Sequence, residues 1–131
     1  MIGLDTNVLV RYLTQDHPEQ ASQASQLIEK HCTIDDPGFI SLVVLCELVW
    51  VLRGAYGYKK QLVVKVLDQI MTIKELIVEA EQTVRYALAV YRNGPADFAD
   101  YVIIFSNRAQ GCETTYSFDK RLTKNDYARL P

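Results

Sequence analysis

Short apolar segments alternate along the chain with longer segments in which apolar residues recur at helical spacing, and this alternation limits the possible folds most strongly. We expect strands over 1–4, 39–41, 75–78 and 113–117. We expect helices from Thr6 onward and over 18–31, 42–56, 61–71, 79–91 and 96–109. Strands that alternate with helices are typical of a parallel sheet. The sequence therefore predicts an α/β fold with a central parallel sheet.

Length and charge limit the organisation of the chain and its partners. The 131 residues fit one domain, expected over residues 1–131, because neither a repeat nor a linker interrupts them. The formal net charge of -2 gives no overall basic character, so a nucleic-acid partner would need a local basic patch.

Three widely spaced cysteines and the absence of a long apolar run indicate the compartment. Neither a disulfide framework nor a zinc site is suggested by Cys32, Cys46 and Cys112. No segment reaches the roughly 18 apolar residues of a membrane span, and no signal-type segment opens the chain. We expect a cytoplasmic protein with reduced thiols and no membrane contact.

Asp5 follows the first expected strand and precedes the first expected helix. Ligands bind at the carboxyl ends of strands in open α/β sheets, which makes Asp5 a candidate functional residue. An aspartate in this position is also an ordinary helix N-cap, and this explanation is favoured for Asp5 taken alone. Acidic residues in other expected elements shift the preference toward a functional role for Asp5.

Glu47 interrupts an apolar run from Leu42 to Leu52 that is expected to form a buried helix. A glutamate is almost never fully buried unless it is paired, metal-bound or neutralised. Glu47 could instead face water or pair with an arginine, and the two explanations are evenly balanced. With Asp5 in a separate element, a shared metal is the more economical explanation.

Further acids stand at the starts of later elements. Asp97 is the expected N-cap of its helix and Asp100 lies one turn inside it, where capping and the helix dipole are the ordinary explanation. Asp119 follows the last expected strand, as Asp5 follows the first. Carboxylates from several elements, without histidine or cysteine, suit Mg²⁺ or Mn²⁺ rather than zinc. A divalent cation would also relieve the repulsion among them.

The ordered motifs resemble a known family over nearly the whole chain. The segments are Asp5-Thr-Asn-Val-Leu-Val-Arg, Cys46-Glu-Leu, Asp97-Phe-Ala-Asp-Tyr-Val-Ile and Thr115-Tyr-Ser-Phe-Asp-Lys. Together they are similar to PIN-domain proteins, and specifically to the VapC-type toxins of prokaryotic toxin–antitoxin pairs. The resemblance implies a three-layer α/β/α sandwich with a central parallel sheet. It also implies a metal-dependent endoribonuclease that is usually a homodimer and is held inactive by a cognate VapB-like antitoxin.

The resemblance also assigns roles to residues. The metal-binding, catalytic acids would be Asp5, Glu47 and Asp100, with Asp119 as a more variable fourth and Mg²⁺ or Mn²⁺ as the cofactor. Supporting positions would be Thr6, Asn7, Asp97 and Ser117. Relatives often continue into a further strand, so a sheet one strand shorter, or a truncated chain, is expected at Pro131. Both one-ion and two-ion sites fit the residues.

Basic residues near these acids in the chain are candidate phosphate contacts. Arg11, Lys120 and Arg121 are the expected RNA-binding residues, and a wider set adds Arg53, Lys59, Lys60 and Lys124. Ordinary solvated surface is the favoured explanation for most of them individually.

Other functions remain open beside a ribonuclease. A phosphorelay receiver would need an adjacent acidic pair after the first strand, and a haloacid-dehalogenase-like phosphatase would need an aspartate in place of Asn7. Both fit worse. A PIN-like module that binds RNA or a partner without cutting, and a structure-specific DNA nuclease with the same fold, are the remaining alternatives.

Overall fold

A parallel sheet of three strands lies in the first part of the chain. The computed structural model describes residues 1–131. The strands are β1 (Ile2–Gly3), β2 (Gly38–Ile40) and β3 (Leu76–Val78), in the order β1-β2-β3. Both pairings are parallel, with Ile2 opposite Gly38 and Gly38 opposite Leu76. The prediction of an α/β fold with a central parallel sheet is confirmed.

Gly38 occupies a position in this sheet that has no room for a side chain. A Cβ atom there would lie 2.9 Å from Cys32 Sγ, 2.9 Å from Leu4 Cδ1 and 3.0 Å from a Leu76 methyl group. Glycine is therefore the residue that lets apolar side chains close over β2.

The chain separates into two compact units, Met1–Glu79 and Ala80–Pro131. The expectation of one domain stays a prediction. The first unit holds the sheet and four helices, which are α1 (Thr6–Thr14), α2 (Pro18–His31), α3 (Leu42–Gly54) and α4 (Lys60–Ile70). Pro18 stands at the first turn of α2, as predicted, where its missing N–H costs nothing. Ser41 caps α3 as predicted, because its Oγ accepts from the Val44 N–H at 3.2 Å.

Helix α3 is less buried than its composition predicts. Leu45, Leu48 and Leu52 are buried on one face, but Val43 is 68% exposed and Trp50 is 77% exposed. The prediction of a helix is confirmed, whereas the prediction that it is buried is wrong for this second face. An apolar run gives no period from which a solvent-facing side could be recognised.

The second unit is helical and contains α5 (Glu81–Tyr91), α6 (Phe98–Ala109) and the short α7 (Lys120–Thr123). Asp97 is the N-cap residue of α6, as predicted. Tyr91 and Phe98 pack edge to face with ring centres 5.9 Å apart. Tyr101 is fully buried, and its hydroxyl oxygen accepts from the Ala96 N–H at 3.2 Å.

The predicted strand over 113–117 is wrong. Only an isolated parallel bridge joins Tyr116 to Arg129, made by the Arg129 N–H to the Thr115 carbonyl and the Ser117 N–H to the Arg129 carbonyl. Toward the C-terminus, continuing this ladder would require an N–H from Pro131, and proline has none. Toward the N-terminus it would require a hydrogen bond from the Thr115 N–H to the Tyr127 carbonyl, which does not form. The threonine-rich segment is therefore extended without becoming part of a sheet.

No helix combines the length and the apolar character needed to cross a bilayer, the longest being α2 with 14 residues. All three cysteines are free, with Cys32 buried and Cys112 exposed.

Candidate acidic site

Asp5 lies just beyond β1 and caps α1. Its Oδ1 accepts a hydrogen bond from the Thr6 N–H at 2.8 Å, with the Asp5 backbone in an extended conformation (φ −81°, ψ 161°). The capping role considered from the sequence is therefore present. The Asp5 side chain is nevertheless exposed, so the carboxylate also faces solvent at the carboxyl end of a strand.

Glu47 lies on α3 and is exposed rather than buried. Burial therefore gives no reason to require a metal at Glu47, and that part of the sequence argument is wrong. Its Oε1 accepts a hydrogen bond from the Thr6 hydroxyl at 3.1 Å.

Thr6 connects the two acids of the first unit. It is the first residue of α1 and is only 8% exposed. Its N–H donates to Asp5 and its hydroxyl donates to Glu47, so one ordered residue contacts both carboxylates. The structure thus brings the strand end at Asp5 and the middle of α3 to one place.

A groove with a volume of about 430 Å³ runs over this pair of acids. Its lining residues are Asp5, Thr6, Asn7, Val10, Arg11, Glu47, Val51, Ala55 and Tyr56. The exposed Asn7 therefore lines the same groove as the two acids, and its supporting role stays a prediction.

Arg11 is held at the side of this groove by polar partners. Its Nη1 donates to Asp16 Oδ1 at 3.2 Å and to the Tyr56 hydroxyl at 3.4 Å, and its Nε donates to Gln20 at 2.7 Å. Asp16 also accepts from the Thr14 and Tyr56 hydroxyls, at 2.7 and 2.8 Å. These two hydrogen bonds, and then the charge of Arg11, hold the pKa of Asp16 below its ordinary value. The contact between Asp16 and Tyr56 was not predicted, since no spacing signal relates residues 40 positions apart.

In the second unit, Asp97 and Asp100 stand together at the start of α6. The Asp97 N–H donates to Asp100 Oδ2 at 2.9 Å, which is the backward half of a capping box. Asp97 is highly exposed, whereas the Asp100 side chain is 24% exposed.

Asp119 precedes α7 and is held by its neighbours. Its Oδ1 accepts from the Arg121 backbone N–H at 2.9 Å, and its own N–H donates to Ser117 Oγ at 3.0 Å. Ser117 thus positions the acid that follows it by two residues. Lys120, one of the expected RNA contacts, is exposed at the first position of α7.

Arg121 contacts three carboxylates in this unit. Its Nη1 lies 3.5 Å from Asp97 Oδ1, and its Nη2 lies 3.1 Å from Asp100 Oδ2 and 2.7 Å from Asp119 Oδ2. Hydrogen bonds from Arg121 are the main reason why the pKa of Asp119 is below its usual range. The sequence predicted Arg121 as an RNA contact, and the structure places it on the acids.

The donor chemistry of both acid groups fits a hard divalent cation. All the candidate ligands are carboxylates, assisted by the hydroxyls of Thr6 and Ser117. No group of three or more His, Cys, Asp or Glu side chains is arranged to hold a metal. In the second unit, the acids meet different nitrogens of Arg121 instead of one common point.

Known proteins show the same family. The chain matches the PIN domain over residues 2–127. It is also 25% identical over 121 residues to a VapC ribonuclease of Aquifex aeolicus (strain VF5), covering 92% of this chain and 89% of that protein. The resemblance found in the sequence motifs is therefore confirmed, and the chain belongs to the PIN domain family.

Proposed function

We propose that the chain is an endoribonuclease toxin that requires Mg²⁺ or Mn²⁺ and hydrolyses RNA phosphodiester bonds. The observation that carries this proposal is the contact of Thr6 with both Asp5 and Glu47 in one groove. Membership of the PIN domain family and similarity to a VapC ribonuclease support it. Asp5, Glu47, Asp100 and Asp119 are the proposed catalytic metal ligands.

The residues of the chain have separate roles in this proposal. A bound divalent cation would lower the pKa of water for attack on the phosphodiester and neutralise charge that develops there. Thr6 orients the Asp5 and Glu47 carboxylates through its two donors. Ser117 fixes the backbone at Asp119, and Asp97 joins Asp100 at the start of α6. Arg11 and Lys120 are proposed to contact RNA phosphates at the protein surface. Arg121 is proposed to do the same once it has left the carboxylates.

The proposed partners follow from the same similarity. They are an RNA substrate, a cognate VapB-like antitoxin that neutralises the toxin, and a second copy of the chain in a homodimer. We propose a cytoplasmic location for these interactions. Light scattering of the purified protein, alone and with the candidate antitoxin, would measure both assemblies.

Cleavage of matched RNA and DNA substrates tests the activity. Folded and single-stranded RNAs and the corresponding DNAs would be incubated with Mg²⁺, Mn²⁺ or EDTA, using wild type and Asp5→Asn. Asparagine keeps a side-chain oxygen for capping α1, so the fold should survive while the charge is lost. Asp35→Asn is the matched control, because Asp35 is an exposed loop residue away from the groove lining.

We expect metal-dependent RNA cleavage by wild type and Asp35→Asn, and a loss of about 100-fold or more in Asp5→Asn. Equal cleavage by Asp5→Asn would contradict the site assignment. Cleavage of DNA in place of RNA would identify a structure-specific DNA nuclease. Metal binding without any cleavage, across the whole panel, would favour a binding module.

A further inference from the structure

The guanidinium of Arg121 occupies oxygen atoms that a divalent cation would need. Its Nη2 donates to Oδ2 of both Asp100 and Asp119, and its Nε lies 3.1 and 3.2 Å from the two carboxylate oxygens of Asp119. Asp119 Oδ1 also accepts from the Arg121 backbone N–H. Both oxygens of Asp119 therefore already have donors from this single residue.

A divalent cation and the Arg121 guanidinium repel each other because both are positively charged. A divalent ion that took Asp100 and Asp119 as ligands would lie within a few ångströms of the Arg121 charge. Repulsion at that distance is large wherever water screens it incompletely. Binding of the ion therefore favours a conformation in which Arg121 has left these carboxylates.

Exposure makes such a departure inexpensive. The Arg121 side chain is 41% exposed, and that of Asp97 is 77% exposed. Exposed ion pairs of this kind contribute far less to stability than a buried pair. Arg121 can thus neutralise the acids in the cation-free protein and still be displaced.

We propose that Arg121 is an internal counter-ion that competes with the divalent cation for Asp100 and Asp119 and so lowers cation affinity. This inference rests on the proposed function, because it takes these two acids as metal ligands. The position of Arg121, two residues after Asp119 and on α7, places the acid and its competitor on the same short element. Arg121 is thus a regulating residue of the site.

Titration with Mn²⁺ alone tests the competition without using activity. Isothermal titration calorimetry would compare wild type with Arg121→Gln, Arg121→Lys and Arg129→Gln. The last variant is the matched control, since it removes the same charge from an exposed arginine of the same unit that makes none of these contacts. Circular dichroism would establish that each variant is folded.

We expect Arg121→Gln to bind Mn²⁺ roughly tenfold more tightly than wild type, from the loss of several weak ion pairs. Arg129→Gln should change the affinity by less than about twofold, because its exposed side chain makes none of the ion pairs with these carboxylates and salt screens surface charges. Arg121→Lys should fall between wild type and Arg121→Gln, since an ammonium group lacks the planar fork of donors.

Nuclear magnetic resonance gives a second, direct measurement. The Arg121 Nε–Hε signal, assigned in wild type through its side-chain connectivities to the Arg121 backbone, should shift in proportion to occupancy as Mg²⁺ is added. A signal that stays unchanged while Mg²⁺ binds would overturn the proposal, even if a variant failed to fold.

The outcomes separate this inference from the proposed function. Mn²⁺ affinity that changes equally in Arg121→Gln and Arg129→Gln, or that weakens in Arg121→Gln, overturns the competition and leaves the metal-dependent function standing. Binding by Arg121→Gln but not by wild type supports the competition strongly. Absence of Mn²⁺ binding in wild type and in every variant overturns both.

Discussion

Thr6 has an effect on the candidate site out of proportion to its size. A threonine hydroxyl both donates and accepts, and its β-branch restricts the side chain to few rotamers. In this position the hydroxyl contacts Glu47 while the backbone N–H contacts Asp5. One residue therefore aligns two carboxylates that come from different elements.

Replacement of Thr6 by valine should weaken the site without unfolding the protein. Thr6→Val keeps the β-branch but removes the donor to Glu47, so we expect Mn²⁺ affinity and RNA cleavage to fall roughly tenfold. Stability should fall by about 1 kcal/mol, the usual net value of one hydrogen bond. Thr6→Ser keeps the hydroxyl, so its Mn²⁺ affinity and RNA cleavage should be close to those of wild type. If Thr6→Ser, which keeps the donor, behaved like Thr6→Val, the hydrogen bond to Glu47 would not be what supports the site.

Asp16 should make stability depend on pH. Hydrogen bonds from Thr14 and Tyr56, and the charge of Arg11, hold its pKa in the folded protein below the ordinary value of 3.8. A lowered pKa means that the stabilisation is present above the unfolded-state value and is lost as pH falls through the folded-state value. Asp16→Asn should therefore be less stable than wild type near neutral pH, and the difference should shrink below about pH 4. Urea unfolding at a series of pH values measures this; a difference independent of pH would contradict it.

The element that depends most on a single small residue is α6, through its buried Tyr101. A Cβ atom at Gly94 would collide with the Tyr101 hydroxyl and would lie 2.8 Å from the Val90 carbonyl oxygen. Gly94→Ala should therefore lower the free energy of unfolding by about 1–3 kcal/mol, as overpacking of a core does. Gly54→Ala, at the end of α3 with open space around it, should be neutral or stabilising by up to about 1 kcal/mol. Equal effects in the two variants would show that the contact with Tyr101 relaxes freely.

Sequence patterns predict the start of a helix best where a local residue type marks it. The starts of α2, α3 and α6 were predicted because each has a local signal, Pro18, Ser41 or Asp97, that acts through the adjoining backbone. The strand over 113–117 was predicted from residue type, but its pairing with the segment around Arg129 stops at a single bridge. Pairing is a property of two segments, so one segment could not reveal it.

In the candidate site, too, features set by local sequence were predicted, whereas contacts between distant segments were not. The motifs identified the acids and Thr6 as candidate site residues, and the chain order predicted the position of Asp5 between a strand and a helix. The solvent exposure of Glu47 was missed because its apolar neighbours hide which face of α3 is outward. The contacts of Arg121 with Asp97 and Asp100 were missed because they join residues that are distant in sequence.

The proposed ligands divide equally between the two units of the chain. Asp5 and Glu47 belong to Met1–Glu79, whereas Asp100 and Asp119 belong to Ala80–Pro131. Each unit by itself therefore supplies only two of the proposed ligands. If the assignment is right, a substitution of a ligand in either unit should weaken Mn²⁺ binding; if it is wrong for one unit, a substitution there should leave binding unchanged.

Thermal unfolding with and without Mn²⁺ distinguishes these cases. At a Mn²⁺ concentration 100 times the dissociation constant, binding adds about 2.7 kcal/mol to stability, which should raise the Tm of a chain of this length by roughly 10 °C. We expect Asp5→Asn and Asp100→Asn each to reduce the rise, because each loses the charge of a proposed ligand, and EDTA to reverse it in wild type. Asparagine retains an oxygen for the N–H groups that both aspartates bind, so these variants should fold without metal. Asp35→Asn should keep the full rise. If either variant kept the full rise, the assignment of that aspartate as a ligand would be wrong.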